Sequence, residues 1–183
     1  ETGKSRAHAF EEFAGGAGAA RYYGKYASKF LRREKLAAGV PMLTKTWVEF
    51  DPVGVVGVVT PWNYPLALTM LDVLPALAAG NTVVQKADNQ TAKTVEMARD
   101  LAVKAGVPEV IWQVVHGDAT EVGNAVTDNA DYLAFTGSTA TGKIVAQRVA
   151  PRLIGYSLEL GGKNPMIVMP GANLSEARSE ERR

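Results

Sequence analysis

The sequence contains no cysteine among its 183 residues. This absence excludes disulfide bonds, thiolate metal ligands and a cysteine nucleophile within the chain. The formal net charge of +1 is too small for the clustered basic excess that nucleic-acid-binding proteins carry. No apolar run approaches the length of about 18 residues that a membrane span requires. We therefore expect a cytoplasmic globular protein with neither a nucleic-acid partner nor a membrane partner.

Metal binding is not expected either. The only two histidines, His8 and His116, are isolated from each other and fit no metal-ligand spacing. We interpret both as structural or surface residues.

From residue 53 onward, short apolar runs alternate with longer segments whose apolar residues recur at helical spacing. The run at 53–59 consists only of valine and glycine, as in a strand buried on both faces. This alternation predicts an α/β fold with a doubly wound parallel sheet. The predicted strands lie at 53–59, 82–85, 111–115, 132–135 and in a run ending at 160, and the predicted helices lie at 66–79, 91–105, around 120 and at 139–149.

The first 38 residues show apolar and aromatic positions at near-helical spacing, which predicts N-terminal helices. We expect the aromatic side chains of this segment to pack into the core. They are Phe10, Phe13, Tyr22, Tyr23, Tyr26 and Phe30.

The first predicted strand of the sheet is followed by the run Pro-Trp-Asn-Tyr-Pro at 61–65. Two prolines around an asparagine are typical of a rigid turn, and a purely structural turn explains the composition. A functional alternative is that the amide N–H of Asn63 donates to a developing oxyanion, since a rigid turn holds such a donor in place. Ligands of doubly wound sheets bind beyond the carboxyl ends of the strands, where this run lies.

Lys86 directly follows the second predicted strand, and Asn89 lies three residues further on. A lone lysine at a strand end is usually a solvated loop charge. Its position shortly before the helix that opens at Thr91 also makes a contact with a nucleotide ribose possible.

The run Phe-Thr-Gly-Ser-Thr-Ala-Thr-Gly-Lys at 135–143 follows a third strand. Ser138 and the threonines after it are good helix caps, and capping alone explains them. Backbone N–H groups at such a helix start also form an anion site suited to a pyrophosphate. The spacing G-x-x-x-x-G, from Gly137 to Gly142, differs from the common dinucleotide fingerprint G-x-G-x-x-G.

The run Leu-Glu-Leu-Gly-Gly-Lys at 158–163 closes the last predicted strand. A glutamate at a strand end is most often solvated or ion-paired. Leu158 and Leu160 on either side of Glu159 predict partial burial of its carboxyl group, which favours a role as general base.

Taken together, these runs resemble the aldehyde dehydrogenase superfamily over nearly the whole chain, to about residue 174. The resemblance implies a Rossmann-like cofactor domain that binds NADP or NAD, and the oxidation of an aldehyde through a cysteine nucleophile. Glu159 then corresponds to the base that activates the hydrolytic water, and Asn63 to the oxyanion donor. The cofactor-binding residues implied are Pro61, Trp62, Asn63 and Leu160 near the nicotinamide, Lys86 and Asn89 at the adenosine ribose, and Gly137 and Ser138 at the phosphates.

Three further stretches, at 128–133, 153–157 and 162–168, are similar to actinobacterial-type succinate-semialdehyde dehydrogenases. The resemblance therefore implies succinic semialdehyde as the small-molecule substrate. Many NAD-preferring members carry a glutamate where this chain has Asn89. A carboxylate about 4 Å from a phosphate costs up to about 4 kcal/mol at an effective dielectric constant of 20. The neutral amide removes that repulsion, so we expect NADP to be accepted and preferred.

The missing cysteine then predicts that the chain is an N-terminal, cofactor-domain fragment without its catalytic domain and without turnover of its own. Its parts are a partial NAD(P)-binding domain at 1–174, an oligomerisation strand region at 39–52 that implies a homo-oligomeric parent, and a charged, off-pattern tail at 175–183. The alternative is a catalytically silent nucleotide-binding or oligomerising module.

Overall fold

The computed structural model describes residues 1–180, and the last three positions of the predicted tail lie outside them. The chain forms a five-stranded parallel sheet with helices on both faces, as predicted. Its elements are α1 (Arg6–Phe30), β1 (Glu34–Leu36), β2 (Thr46–Val48), β3 (Val55–Thr60), α2 (Pro65–Ala78), β4 (Thr82–Ala87), α3 (Ala92–Lys104), β5 (Trp112–Val115), α4 (Glu121–Asn129), β6 (Tyr132–Thr136), α5 (Thr139–Val149), β7 (Gly155–Glu159) and α6 (Leu174–Glu180). Within the described part of the chain, no helix is long and apolar enough to cross a membrane.

The large sheet has the strand order β5-β4-β3-β6-β7, and every neighbouring pair is parallel. Within this sheet, the chain forms the central strand β3 first and then adds β4 and β5 on one side. It then crosses back to add β6 and β7 on the other side. The core lies on both faces of β3, β4 and β6, where Val58, Val83 and Leu133 are fully buried. All five carboxyl ends therefore point to one edge of the sheet.

The N-terminal region differs from the prediction. A single helix ends at Phe30, and β1 follows where helix was expected, because it pairs antiparallel with β2. The Arg33 guanidinium supports this hairpin by stacking on the Trp47 ring, 4.0 Å from its centroid, and by an ion pair with Glu49. Within the predicted region 39–52, only Thr46–Val48 is strand.

The aromatic side chains of α1 are not in the core. Phe10 is 68% exposed, and Tyr22 is packed against the neighbouring ring of Tyr26, 5.1 Å between centroids. The buried face of α1 is instead formed by Glu12 and Gly16. A side chain at Gly16 would come within 3.2 Å of Met70 on α2, so the small residue is what lets the two helices approach.

Candidate active site

One cleft of about 790 Å³ opens at the carboxyl edge of the sheet, where β3, β6 and β7 end side by side. The strand register places Val59 beside Phe135 and Thr136 beside Glu159, so the loops after these strands converge. Six of the predicted site residues line this cleft. They are Pro61, Trp62, Asn63, Gly137, Glu159 and Leu160.

The turn at 61–64 connects β3 directly to α2, which begins with Pro65. Its Asn63 side chain is exposed to the cleft. Tyr64 occupies the N-cap position of α2 without a side-chain hydrogen bond of its own. The free N–H groups of the first helical turn must therefore be satisfied from elsewhere.

They are satisfied by Glu12 of α1. Its Oε2 accepts hydrogen bonds from the backbone N–H groups of Leu66, at 3.0 Å, and Ala67, at 3.1 Å. Its Oε1 forms an ion pair with Lys4, whose Nζ also lies 3.7 Å from the centroid of the Tyr64 ring. This buried pair holds the start of α2, and with it the turn that carries Asn63, in place. Nothing in the sequence motifs identifies Glu12.

Glu159 is the last residue of β7, an edge strand of the described sheet. Its side chain is exposed, so the expected partial burial is wrong. The reason is topological, because β7 pairs with β6 on one side and no described strand covers the other. The backbone is nevertheless fixed, since the Glu159 carbonyl accepts a hydrogen bond of 3.0 Å from the N–H of Gly137.

Leu160 packs its side chain against Gly142 of α5 and also lines the cleft. Gly137, at the other wall, has no room for a side chain. A Cβ there would lie 2.6 Å from the ring of Phe135, so the close turn after β6 requires glycine. The backbone at Gly137 therefore has no side chain that would block a ligand in the cleft.

A second acidic residue, which the sequence motifs did not identify, faces the same cleft. Asp72 is the only charged residue of α2 and lines the cleft together with Leu68 and Leu71. Burial, and then the negative charge of Glu159, raise the pKa of the Asp72 carboxyl to about 6. Its only sequence signal is that it is the one charged residue in the sequence of α2.

Ser138 lies just outside the cleft lining, at the start of α5. Its Oγ accepts a hydrogen bond of 3.1 Å from the N–H of Thr141, so it caps the helix as predicted. The start of α4 is capped differently, by the carboxylate of Asp118, which accepts from the N–H of Thr120 at 2.7 Å. Because a neutral cap leaves the positive end of the helix dipole uncompensated, the start of α5 suits an anion better than the start of α4 does.

Lys86 and Asn89 also lie outside the cleft, at the carboxyl end of β4. Lys86 is only 5% exposed, so the alternative of a solvated loop charge is wrong. Its Nζ donates a hydrogen bond of 3.3 Å to Oδ1 of Asn89. Lys86 also contributes to holding the pKa of Asp118 below its usual range, after the backbone N–H groups of Glu121 and Thr120.

The predicted residues therefore follow the sheet edge from β4 to β7 and do not form one pocket. Three strand spacings separate these ends, a distance of about 14 Å. An extended ligand with an anionic middle is the kind of molecule that this arrangement suits.

Comparison with known proteins agrees with the geometry. The sequence profile described as "Aldehyde dehydrogenase family" matches residues 1–180. A Mycolicibacterium smegmatis protein whose name proposes NADP(+) succinate-semialdehyde dehydrogenase activity is 49% identical over 177 residues. The alignment covers 97% of this chain and 34% of the relative. The mitochondrial succinate-semialdehyde dehydrogenase of Arabidopsis thaliana is 47% identical over 129 residues, 69% of this chain and 24% of that protein.

Two solved structures share the fold. The crystal structure of an E. coli NADP dependent enzyme superposes with a TM-score of 0.87 at 35% identity, over 98% of this chain and 37% of that one. Betaine aldehyde dehydrogenase from Staphylococcus aureus, in complex with NAD+, superposes with a TM-score of 0.87 at 31% identity. The superposition covers 98% of this chain and 36% of that one. The chain thus spans about a third of the length of the relatives that it matches.

Proposed function

The chain belongs to the aldehyde dehydrogenase family, and from that premise we propose that it carries the dinucleotide site, the oxyanion donor and the general base of an aldehyde oxidation. The observation that carries the proposal is the shared cleft, which brings Asn63 and Glu159 together from distant parts of the sequence. NADP is the proposed cofactor and succinic semialdehyde the proposed substrate, because the name of the Mycolicibacterium smegmatis relative contains both.

The residues along the sheet edge fit a dinucleotide. Lys86 offers a buried ammonium group, and its partner Asn89 is neutral, so Asn89 itself would not repel a ribose phosphate. The N-terminus of α5, with the Ser138 cap and the bare backbone of Gly137, suits the pyrophosphate. The nicotinamide would lie in the cleft between Trp62 and Leu160.

The bound cofactor would supply the hydride acceptor. Asn63 would donate a hydrogen bond to the aldehyde oxygen, and such a preorganised donor is worth about 10²–10³ in rate. Glu159 would accept the proton of the attacking water, and its exposure lets it return that proton to solvent. A nucleophile is still required, and the sequence contains no cysteine to provide it.

The cofactor proposal predicts tighter binding of NADP than of NAD, measured by isothermal titration calorimetry on the chain as it is. Lys86→Met keeps the buried volume but removes the charge. We expect it to weaken NADP binding by about tenfold or more, since hydrogen bonds to charged groups are worth roughly 1.5–3 kcal/mol. Lys104→Met, on the exposed end of α3, is the matched control and should leave binding unchanged. Tighter binding of NAD, or an unaffected Lys86→Met variant, contradicts the proposal.

The absence of a nucleophile predicts no turnover by this chain. With NADP and succinic semialdehyde present, absorbance at the NADPH band should stay at the level of the protein-free control. Known amounts of added NADPH set the detection limit. Formation of NADPH above that limit would show that the reaction proceeds by a route that needs no cysteine.

A further inference from the structure

Two carboxyl groups line the cleft, and no cationic side chain among residues 1–180 does. Among the described residues, the side chains of Asp72 and Glu159 make neither an ion pair nor a hydrogen bond. Asp72 is the only charged residue of α2, and a partly buried carboxylate without a partner is costly to keep. The pair therefore gives the cleft a net negative charge, which points to a cationic ligand group.

The charged groups around the cleft do not cancel this charge. Lys4 of α1 lies over the Tyr64 ring, but its ammonium is already paired with Glu12. Lys143 on α5 and Lys163 after β7 are exposed and do not line the cleft. The remaining lining residues are neither acidic nor basic amino acids of the Asp, Glu, Lys, Arg or His type.

We infer that Asp72 and Glu159 make the cleft select the redox state of the cofactor, binding the oxidised dinucleotide, with its cationic nicotinamide ring, more tightly than the reduced one. This inference rests on the proposed cofactor site. Reduction of the ring removes its attraction to the two carboxylates, so the reduced dinucleotide should also be released more easily.

The two redox states offer a controlled comparison. Their adenosine, phosphates and riboses are the same, so contacts with Lys86 and with the start of α5 contribute equally to both affinities. The nicotinamide ring is the only part that differs, and its reduction removes the positive charge. Two opposite charges about 6 Å apart interact measurably even at effective dielectric constants between about 20 and 80. We therefore expect removal of either carboxylate to lower the preference for the oxidised form about threefold or more.

The preference should also depend on pH. Asp72 is the lining group that titrates near neutrality, since its pKa is raised to about 6. Below this value its carboxyl is neutral and attracts the ring less, and above it the charge is present. The ratio of the affinities for NADP+ and NADPH should therefore increase as the pH rises through about 6.

The test is to measure the dissociation constants of NADP+ and NADPH for the unmodified chain, Asp72→Asn and Glu159→Gln. NADPH is followed by its fluorescence and NADP+ by competition. Asp100→Asn, on the exposed face of α3 beside Arg99, is the matched control for loss of one carboxylate. The expected result is a smaller preference for NADP+ in both cleft variants, a loss of pH dependence in Asp72→Asn, and no change in the control.

The possible failures are distinguishable. If both dinucleotides bind and their affinity ratio is the same in all variants, or if both affinities fall equally, the inference is overturned and the cofactor site stands. If neither dinucleotide binds the unmodified chain, the proposed cofactor site is overturned, and the inference with it.

Discussion

Replacement of Glu12 with alanine should lower the free energy of unfolding by about 3–5 kcal/mol, the usual cost of breaking a buried ion pair. Glu12 is 6% exposed and Lys4 15%, so loss of the carboxylate leaves an ammonium group largely out of solvent. The same change also removes the acceptor for the N–H groups of Leu66 and Ala67. Proteins of this size are stable by only about 5–15 kcal/mol, so the loss is a large fraction of the total.

Urea denaturation followed by circular dichroism measures this loss, with Glu11→Ala as the matched control. Glu11 is exposed on the same helix, and its replacement should change the stability by no more than about 0.5 kcal/mol. Hydrogen exchange of the Leu66 and Ala67 amides should accelerate in Glu12→Ala. Equal stabilities of the two variants would contradict the capping role of Glu12.

Glu12→Gln separates charge from hydrogen bonding. The amide oxygen can still accept from the first turn of α2, but the attraction to Lys4 is lost. We expect a destabilisation between those of Glu11→Ala and Glu12→Ala, with near-normal exchange at Leu66. If Glu12→Gln lowers the free energy of unfolding as much as Glu12→Ala does, the whole stabilising effect of Glu12 comes from the ion pair with Lys4.

The sheet and the position of the cleft follow from local sequence signals. Buried valine runs mark the strands, and the helices end where predicted because Gly80 and Gly106 adopt the positive φ angles of +84° and +105°. Once the strands are parallel, the loops that carry Asn63 and Glu159 must meet at one edge. The relative positions of these two motifs therefore follow from the sequence alone.

The contacts of α1 do not follow from such signals. Helical spacing identifies an aromatic face, yet the face that packs on α2 is the one with Glu12 and Gly16. A buried glutamate is an unusual solution, and its partners at Leu66 and Ala67 lie more than 50 residues away in the chain, separations of 54 and 55. Periodicity describes one helix at a time, so it cannot identify a cap that one helix supplies to another.

The burial of individual acids also depends on tertiary neighbours. Leucines on both sides of Glu159 suggested burial, but a strand at the sheet edge is open whatever its composition. Asp72 shows the opposite case, because the apolar helix around it and the nearby Glu159 raise its pKa. The positions of the strand ends can therefore be predicted from the sequence. The burial and pKa of the acidic groups in the cleft cannot, because they depend on which elements pack around them in the fold.

The buried polar network at Gln85 carries the second large stability prediction. Gln85 is fully buried on β4, and its Nε2 donates to the hydroxyl groups of Thr69, at 2.7 Å, and Thr60, at 3.1 Å. Its Oε1 accepts a hydrogen bond of 3.1 Å from the indole N–H of Trp112, which is also buried. The network joins β3, α2, β4 and β5, and every polar atom of the Gln85 side chain has a partner.

Gln85→Ala should lower the free energy of unfolding by about 4 kcal/mol. The indole N–H of Trp112 loses its acceptor, which costs about 1–3 kcal/mol, and a cavity in the core adds to this. Gln113→Ala, on the neighbouring strand but exposed, is the matched control, with an expected loss of about 1 kcal/mol or less for its one hydrogen bond to the Glu109 carbonyl. Urea denaturation of both variants makes the comparison.

A double-mutant cycle then tests the hydrogen bond between Gln85 and Trp112. Trp112→Phe removes the N–H donor, and Gln85→Leu removes the acceptor, so each single change leaves a buried polar group without its partner. With both changes made, that particular mismatch is gone, and the combined loss should be smaller than the sum of the single losses by about 1–2 kcal/mol. Strict additivity would mean that the two side chains are stabilised independently and that packing alone determines the cost at both positions.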